Sequence, residues 1–290
     1  MVESLDVARF VERSLVAAAE HFQELTSTND YAKELARRLD LPMPYLVVAE
    51  HQTAGRGRGA NRWWTGPGSL AFSVICEIRS FAAAEFAEQS RQVPADDSAA
   101  SSPGRAANHE ESRARPVHSP VPALAAGIAV CDAVRPLIPT GLPLGICWPN
   151  DVYVGTRKLS GTLAETVANG RCVVGIGVNV NNRSSDAPAE LRDHVVSLID
   201  LVGSPLDRGD LLEGILRGLR KLFTQAAGPI AARADALCLQ KGRTLEIALG
   251  DRILSGLCRG IDPWGRLVLD SEGGTVQCTS GIVRRHSAKQ

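Results

Sequence analysis

The chain has few aromatic residues, no excess of charge of either sign and no C-x-x-C pair. Its seven cysteines are scattered over 290 residues, which argues against structural zinc or a disulfide framework and fits thiols in a reducing compartment. Lys+Arg and Asp+Glu both number 32, and this zero formal charge argues against a broad DNA-binding surface. No segment reaches the ~20 apolar residues of a membrane span. We therefore expect a globular, cytoplasmic protein with no DNA and no membrane partner.

The distribution of apolar residues indicates one large and one small domain. With 44% hydrophobic residues, a chain of this length can bury a sizeable core. Residues 82–118 contain no Leu, Ile or Met and are rich in Ala, Ser, charged residues and Pro, so we expect a disordered surface insertion there. We predict a catalytic domain at 1–238 that contains this insertion, and a C-terminal domain at 239–290.

Helical patterns lie on both sides of the insertion. Ser27 and Asp30 have the spacing of a capping box, before a helix whose predicted apolar stripe is Tyr31, Leu35 and Leu39. A second helix begins at Pro122 and carries apolar residues as far as Leu137. A third, amphipathic helix is predicted over residues 211–223.

Strand patterns alternate with these helices. We predict a buried strand at 45–50 and, from alternating apolar residues, a half-buried strand at 70–78. The Asn169-Gly170 dipeptide between two apolar runs predicts an antiparallel hairpin. Short strand-like runs from about residue 242 predict a small β-barrel. The fold class is therefore α+β, with a mixed, largely antiparallel central sheet flanked by helices.

Residues 55–68 form the most informative segment. Their five glycines let backbone amides approach an anion, Arg56 and Arg58 add guanidinium groups, and two tryptophans can stack on a base. A dinucleotide fingerprint is disfavoured because Ala60 replaces its third glycine and a strand follows, and a P-loop lacks its Gly-Lys-Ser/Thr. The pattern indicates a nucleotide and a second acid; a purely structural Gly/Arg turn is the alternative.

A second motif runs from Trp148-Pro149-Asn150-Asp151 to Arg157-Lys158-Leu159-Ser160-Gly161, and Gly175-Ile176-Gly177-Val178-Asn179 follows. Together with Gly55-Arg56-Gly57-Arg58 and Trp63, these blocks resemble biotin protein ligases over about residues 20–80 and 119–286. The resemblance implies a class II synthetase-like catalytic domain, an SH3-like C-terminal domain, and two reaction steps. Biotin and ATP form biotinyl-5'-AMP, and the biotinyl group then passes to a lysine of a biotin carboxyl carrier protein or domain, of acetyl-CoA carboxylase or another biotin-dependent carboxylase.

The resemblance also implies roles for individual residues. Catalytic roles are implied for Lys158, Arg58 and Asp151. Biotin would be bound by Ser27, Thr28, Asn29, Gln52, Gly55, Arg56 and Lys158, and the nucleotide by Arg58, Asn61, Trp63, Asn179 and Arg285. Mg²⁺ is expected with ATP, held mainly by phosphates, and no metal ligand is identified. Several residues also have a simpler interpretation: Lys158 as a solvated lysine after a turn, Ser27 as a helix cap, Trp63 as an apolar lid, and Asn179 as a turn former.

The chain departs from the family pattern at Cys147, where a lysine commonly stands, at Asn61 and at Gly66-Pro67. Twenty-six residues precede Ser27, too few for the winged helix of the DNA-binding members, so we expect no repressor role. A homodimer is possible. Two other functions stay open: a lipoate or octanoate ligase or transferase of related fold, and a non-catalytic biotin or nucleotide sensor.

Overall fold

The computed structural model describes residues 5–77, 119–167 and 169–286, with the side chains of all of these except 285 and 286. The insertion predicted at 82–118 lies outside the described residues. The strands are β1 (Ala18–Leu25), β2 (Tyr45–Gln52), β3 (Leu70–Glu77), β4 (Leu144–Cys147), β5 (Asp151–Val154), β6 (Arg157–Thr166), β7 (Arg171–Val178), β8 (Thr244–Leu249), β9 (Arg252–Ile261), β10 (Leu267–Ser271), β11 (Gly274–Cys278) and β12 (Ile282–His286). The helices are α1 (Ala8–Glu12), α2 (Thr28–Leu35), α3 (Val121–Val134), α4 (Leu198–Val202), α5 (Arg208–Leu222) and α6 (Ala227–Ala236).

The first seven strands form one mixed sheet in the order β1-β2-β3-β7-β6-β5-β4. Only the β1–β2 pair is parallel, and α2 provides the crossover that parallel neighbours require. The other pairs are antiparallel, and β6 and β7 form the hairpin predicted at Asn169-Gly170. The expected mixed, largely antiparallel sheet is confirmed.

The two faces of this sheet are covered by different helices. On one face the main core includes Phe72 and Val74 of β3 together with most of α3, which is buried on nearly all sides. On the other face, Ala32 and Ala36 of α2 pack against Ile75 and its neighbours in a smaller core. The smaller cover on this second face leaves room for a pocket beside α2.

The prediction for β3 was wrong in its burial. The strand is described from Leu70 to Glu77, and its first seven residues are all buried rather than alternately exposed; Ile78, the last residue predicted, lies outside the described residues. The reason is its place between β2 and β7, where helices cover both faces. The alternation reflects large side chains such as Phe72 towards the main core and small ones such as Ser73 towards the pocket side.

The predicted stripe on α2 was also too long. The helix ends at Leu35, and Leu39 is 81% exposed. Side chains of the β6–β7 hairpin bind this region: Asn169 donates to the Ala36 carbonyl (2.7 Å), and the Arg171 guanidinium donates to the carbonyls of Ala36 and Leu39 (3.3 and 3.1 Å). The bonds to Ala36 satisfy a carbonyl at the helix end, and the bond to Leu39 holds the segment that follows. Leu137 likewise lies beyond α3, which ends at Val134.

The last five strands form a separate antiparallel sheet in the order β11-β10-β9-β8-β12, in agreement with the small C-terminal β domain expected. The domain boundary predicted at 238/239 falls in the connection between Ala236 and Thr244. Trp148 joins the two parts: its indole N–H donates to the Gly265 carbonyl (3.0 Å), and its backbone N–H donates to Oε1 of Gln240 (2.6 Å). The Trp-Pro-Asn-Asp motif is thereby fixed between the two sheets.

None of the described helices combines the length and the hydrophobicity needed to cross a membrane.

Candidate active site

The floor of the candidate site is a row of small residues across the large sheet. Ala71 of β3, Gly177 of β7 and Gly161 of β6 are successive register partners, and Asp151 of β5 follows Gly161 in the same row. Partners in one row project to the same face of a sheet. Because two of these positions lack a side chain, the backbone of β6 and β7 forms the floor of a shallow groove on which another group can lie.

A buried polar cluster closes one end of this groove. Thr28 donates its backbone N–H to Oε1 of Gln52 (2.8 Å), and Oγ of Ser73 lies 2.9 Å from Oγ1 of Thr28 and 2.7 Å from Oδ1 of Asn29. All of these side chains are less than 10% exposed. Buried polar groups that bond to one another hold fixed orientations, so this end of the groove offers preorganised donors and acceptors.

Ser27 holds this cluster at the start of α2. Its side chain caps the helix by accepting the backbone N–H of Asp30, as predicted from the sequence (3.4 Å). Ser27 also lines the groove, so the capping role and a place in the site coexist.

The glycine-rich segment folds over the groove as a short hairpin. Gly57 donates its N–H to the Asn61 carbonyl (2.8 Å), Trp63 donates to the Gly55 carbonyl (2.9 Å), and Arg56 and Arg62 form a β-bridge. We refer to residues 55–63 as the glycine hairpin. Gly55 is buried at its base, where a side chain would meet the Trp63 carbonyl at 2.6 Å. The base therefore requires glycine for close backbone approach.

Trp63 lies on the groove floor. A Cβ added at Gly177 would stand 2.5 Å from the indole Nε1 and 2.6 Å from Cζ2, and one at Gly161 would stand 3.2 Å from Cζ3. The indole Nε1 is buried without a hydrogen-bond partner. A buried donor without a partner carries a desolvation penalty, which a ligand acceptor in this groove would remove.

Lys158 reaches the same groove through an irregularity in β6. The β5–β6 register shifts between Val152, which pairs with Ser160, and Tyr153, which pairs with Lys158. The extra residue of this bulge turns Lys158 to the face that carries Gly161. Its Nζ lies 2.8 Å from Oδ1 of Asp151 and 5.7 Å from the centre of the Trp63 ring.

Arg58 extends from the tip of the glycine hairpin towards the C-terminal domain. Its Nη1 donates to the Gly281 carbonyl at 2.8 Å, and none of the described side chains forms an ion pair with it within 4.0 Å. Burial lowers the pKa of Arg58, and the charge of nearby Asp151 opposes that shift. An arginine retains its charge in a protein, so Arg58 brings to the pocket a cation that no described carboxylate pairs within 4.0 Å.

Arg56 is placed differently. Its Nη1 lies 2.6 Å from Oδ1 of Asp30, and its two terminal nitrogens each lie 3.1 Å from an oxygen of Glu165. Lys33 binds the same Glu165 carboxylate at 3.0 Å. The charge of Arg56 is thus compensated at the base of the hairpin.

Most of the residues predicted from the sequence meet in this pocket. The predicted residues that line it are Ser27, Thr28, Asn29, Gln52, Arg56, Arg58, Asn61, Trp63, Asp151 and Lys158. Gly55 lies behind the lining, and the side chain of Arg285 lies outside the described residues. Further lining residues that the sequence did not single out are Asn150, Gly161, Thr162, Gly175 and Gly177. The glycines occur in the quoted motifs, and register alone reveals their alignment.

Asn179 is not among the lining residues. It is 2% exposed, its amide donates to the Val196 carbonyl (3.3 Å), and its Oδ1 accepts from Asn182 (3.0 Å). Its backbone N–H also bonds the Leu159 carbonyl next to Lys158 (3.0 Å). In this structure Asn179 supports the bulged part of β6.

The pocket is nearly filled by its own side chains. The cavity holds about 80 Å³, whereas small-molecule pockets usually enclose about 300–1,000 Å³. A second cavity of about 230 Å³ adjoins it between α3 and Ser280 and shares Arg58 and Asn150. Room for a ligand of that size would require Trp63, which lies on a glycine-rich hairpin, to leave the groove floor.

No group of three or more His, Cys, Asp or Glu side chains within the described ranges lies close enough to hold a metal ion.

Preorganised polar groups, two cations and a glycine-rich hairpin are the features of a pocket suited to a small acid beside a second anion. Comparison with known proteins agrees with this class. The family model described as biotin/lipoate A/B protein ligase matches residues 21–92 and 108–181, and that of the biotin protein ligase C-terminal domain matches 242–284. The chain belongs to the biotin/lipoate A/B protein ligase family.

Individual relatives are similar over most of their length. The chain is 34% identical over 249 residues to a biotin–acetyl-CoA-carboxylase ligase of Mycobacterium tuberculosis, covering 82% of this chain and 77% of the relative. It is 26% identical to the bifunctional ligase/repressor BirA of Escherichia coli, covering 92% and 73%. The fold matches a biotin protein ligase from Aquifex aeolicus, solved with biotin and ATP, with a TM-score of 0.70 at 24% identity over 93% of this chain and 99% of that chain.

Proposed function

We propose that this protein is a biotin protein ligase that forms biotinyl-5'-AMP from biotin and ATP and transfers the biotinyl group to a carrier lysine. The observation that carries the proposal is the meeting of Lys158 and Arg58 in a groove that ends in the buried polar cluster of Thr28, Asn29 and Gln52. In the first step a biotin carboxylate oxygen attacks the α-phosphorus of ATP, and pyrophosphate leaves.

The cations serve this step because both reactants are anions. Lys158 and Arg58 reduce the repulsion between carboxylate and phosphate and stabilise the charge that develops on the phosphate oxygens. Each charge-assisted hydrogen bond of this kind contributes about 1.5–3 kcal/mol. Asp151 holds Lys158 at 2.8 Å and keeps its ammonium group over the groove.

The second step is the attack of an acceptor lysine amine on the acyl carbon, with AMP as the leaving group. Water hydrolyses an acyl-adenylate, so the glycine hairpin must stay closed over biotinyl-5'-AMP until the acceptor lysine binds. We propose that Trp63 moves from the groove floor to the nucleotide when the substrates bind, together with Asn61 beside it. Arg285 stays a proposed nucleotide contact, and we propose that Asn179 affects nucleotide binding indirectly, by supporting the β6 backbone next to Lys158.

The polar cluster favours biotin over lipoate. The ureido ring of biotin presents N–H donors and a carbonyl acceptor, whereas the dithiolane ring of lipoate has no strong hydrogen-bonding group. A site of buried polar groups rejects a ligand that leaves them unpaired.

We further propose that the acceptor is the biotin carboxyl carrier protein or domain of acetyl-CoA carboxylase or another biotin-dependent carboxylase. The name of the M. tuberculosis relative supports this assignment. Mg²⁺ would accompany ATP through the phosphates. We propose a cytoplasmic location, since the seven cysteines are scattered without a C-x-x-C pair, as in proteins of a reducing compartment.

The test is biotin-dependent exchange of pyrophosphate into ATP, followed by transfer to a carrier domain. Wild-type protein should catalyse exchange with biotin, and Lys158→Ala and Arg58→Ala should each lower kcat/KM by about tenfold or more. Exchange with lipoate but not biotin would identify a lipoate ligase, and tight biotin binding without exchange would identify a sensor. Either result refutes the proposal.

A further inference from the structure

Glu165 of β6 lies at the centre of a polar cluster outside the reacting groups. It accepts from Nδ2 of Asn29 (2.9 Å), pairs with Lys33 (3.0 Å) and binds both terminal nitrogens of Arg56 (3.1 Å each). Asp30 completes the cluster, 2.6 Å from Arg56 and 3.1 Å from Lys33. Two acids and two bases therefore compensate one another.

The cluster keeps the Glu165 carboxylate ionised. Burial by itself raises the pKa of Glu165, but hydrogen bonds from Asn29, Lys33 and Arg56 lower it by more, so the net pKa is below its ordinary value. Its side chain is 23% exposed, compared with 35% for Arg56 and 48% for Asp30. The least exposed acid thus makes the bidentate contact, the geometry in which an Arg–carboxylate pair is most specific.

The cluster connects the glycine hairpin to the large sheet. Arg56 follows Gly55 at the base of the glycine hairpin, and Glu165 lies on the strand that also carries Gly161 and Lys158. Asn29, which belongs to the buried polar end of the groove, bonds the same carboxylate. The Glu165 side chain, on the same strand as Lys158, therefore contacts both the glycine hairpin and the buried polar cluster at the end of the groove.

We propose that Glu165, with Asp30, is a positioning residue that anchors the base of the glycine hairpin through Arg56. Arg56 then serves as a fixed anchor rather than as a charge for the substrate carboxylate, and the outer part of the hairpin with Arg58 and Trp63 moves about it. The inference rests on the proposed function for its kinetic consequence, but its structural consequence can be measured without substrate.

The first test is limited trypsin digestion of the ligand-free protein, because the hairpin contains Arg56, Arg58 and Arg62 as cleavage sites. Glu165→Gln should increase the rate of cleavage within the hairpin by about tenfold, equivalent to about 1.4 kcal/mol of lost ordering. The matched control is Asp132→Asn, which removes an acid that holds Arg233 through two 2.9 Å contacts far from the hairpin. The control should be cleaved in the hairpin at the wild-type rate.

The second test is a double-mutant cycle of Arg56→Gln and Glu165→Gln in biotin-dependent pyrophosphate exchange. If both residues act through one contact, the double variant should resemble either single variant, with the KM for biotin raised about tenfold and kcat within about threefold. The KM rises because a smaller fraction of the protein has the hairpin in place. Asp30→Asn should change both measurements in the same direction by less, because Asp30 is more exposed.

Two results would overturn the inference. One is a folded Glu165→Gln protein whose hairpin is cleaved at the wild-type rate. The other is additive losses in the cycle, which would mean that Arg56 has its own substrate contact. A wild-type protein without any exchange would refute the proposed function, whereas the trypsin digestion would still decide whether Glu165 anchors the hairpin.

Discussion

Gly177→Ala is the substitution whose effect the structure defines best. The new Cβ would stand 2.5 Å from Nε1 and 2.6 Å from Cζ2 of Trp63, closer than real Cβ contacts, so the indole must leave the groove floor. The φ angle of Gly177 is not positive, so the backbone itself accepts alanine. In the free protein this overpacking costs about 1–3 kcal/mol of stability. The methyl group also stands on the floor where biotin is proposed to lie, and a clash of similar size with the bound ligand should raise the KM for biotin about five- to hundredfold.

The assay is steady-state pyrophosphate exchange over a range of biotin concentrations, with thermal unfolding measured on the same samples. Gly228→Ala is the control, since position 228 lies in α6 and a Cβ there would have no neighbour within 4 Å. The control should keep the wild-type KM. A Gly177→Ala protein that melts like the wild type and keeps its KM for biotin within twofold would show that the groove over Gly177 is not the biotin site.

Three further predictions concern groups around the site. Burial raises the pKa of Glu50, but Arg208 and His21 lower it by more, so the pKa in the folded protein is below the ordinary 4.5. The ionised Glu50 carboxylate therefore stabilises the folded protein above pH 4.5, and this contribution is lost as the pH falls through the folded-state pKa. Glu50→Gln removes the 2.6 Å ion pair of the nearly buried Arg208 and should lower the free energy of unfolding in urea by about 3 kcal/mol at pH 7. The variant should also lose less stability than the wild type as the pH falls below 4.5; an unchanged loss of stability at acid pH would contradict this. Asn179→Ala should cost about 1–3 kcal/mol of stability and lower exchange activity through the displaced β6 backbone, and full activity in a destabilised protein would refute that support role. Burial, followed by the charge of Asp151, raises the pKa of Cys147 to about 12, so native protein at pH 8 should be alkylated at Cys147 far more slowly than urea-unfolded protein, as measured by mass spectrometry.

The elements that the sequence predicted well are those with strong local signals. The Asn169-Gly170 hairpin, the Ser27 cap and the amphipathic helix now seen as α5 depend on neighbours in the chain, and all are found. The strand β1 was not predicted, because its exposed and half-buried residues give no clear period. The burial of β3 was misjudged because the alternation along its sequence reflects the size of its side chains. Whether each face is buried depends on helices that are distant in the sequence.

The candidate site divides in the same way. The glycines, the guanidiniums and the Trp-Pro-Asn-Asp block were recognisable because each chemistry needs particular residue types at close spacing. Glu165 was missed, since an acidic residue on a strand has no local signal that it will meet Arg56, 109 positions away in the chain. The sequence assigned Arg56 to biotin and gave no sign of its contacts with Asp30 and Glu165, because the contact with Glu165 joins distant segments.

The amino-acid sequence by itself determined the kinds of chemistry present: small residues, fixed cations and amide donors in two ordered blocks, with enough apolar residues for a sheet-based core. The tertiary structure alone decided which of these groups share a pocket. The row of Gly161 and Gly177, the bulge that turns Lys158 inward and the anchoring of Arg56 by Glu165 all depend on strand register and on contacts across the chain. Register is a collective property of paired strands, and it has no counterpart in any single segment of sequence.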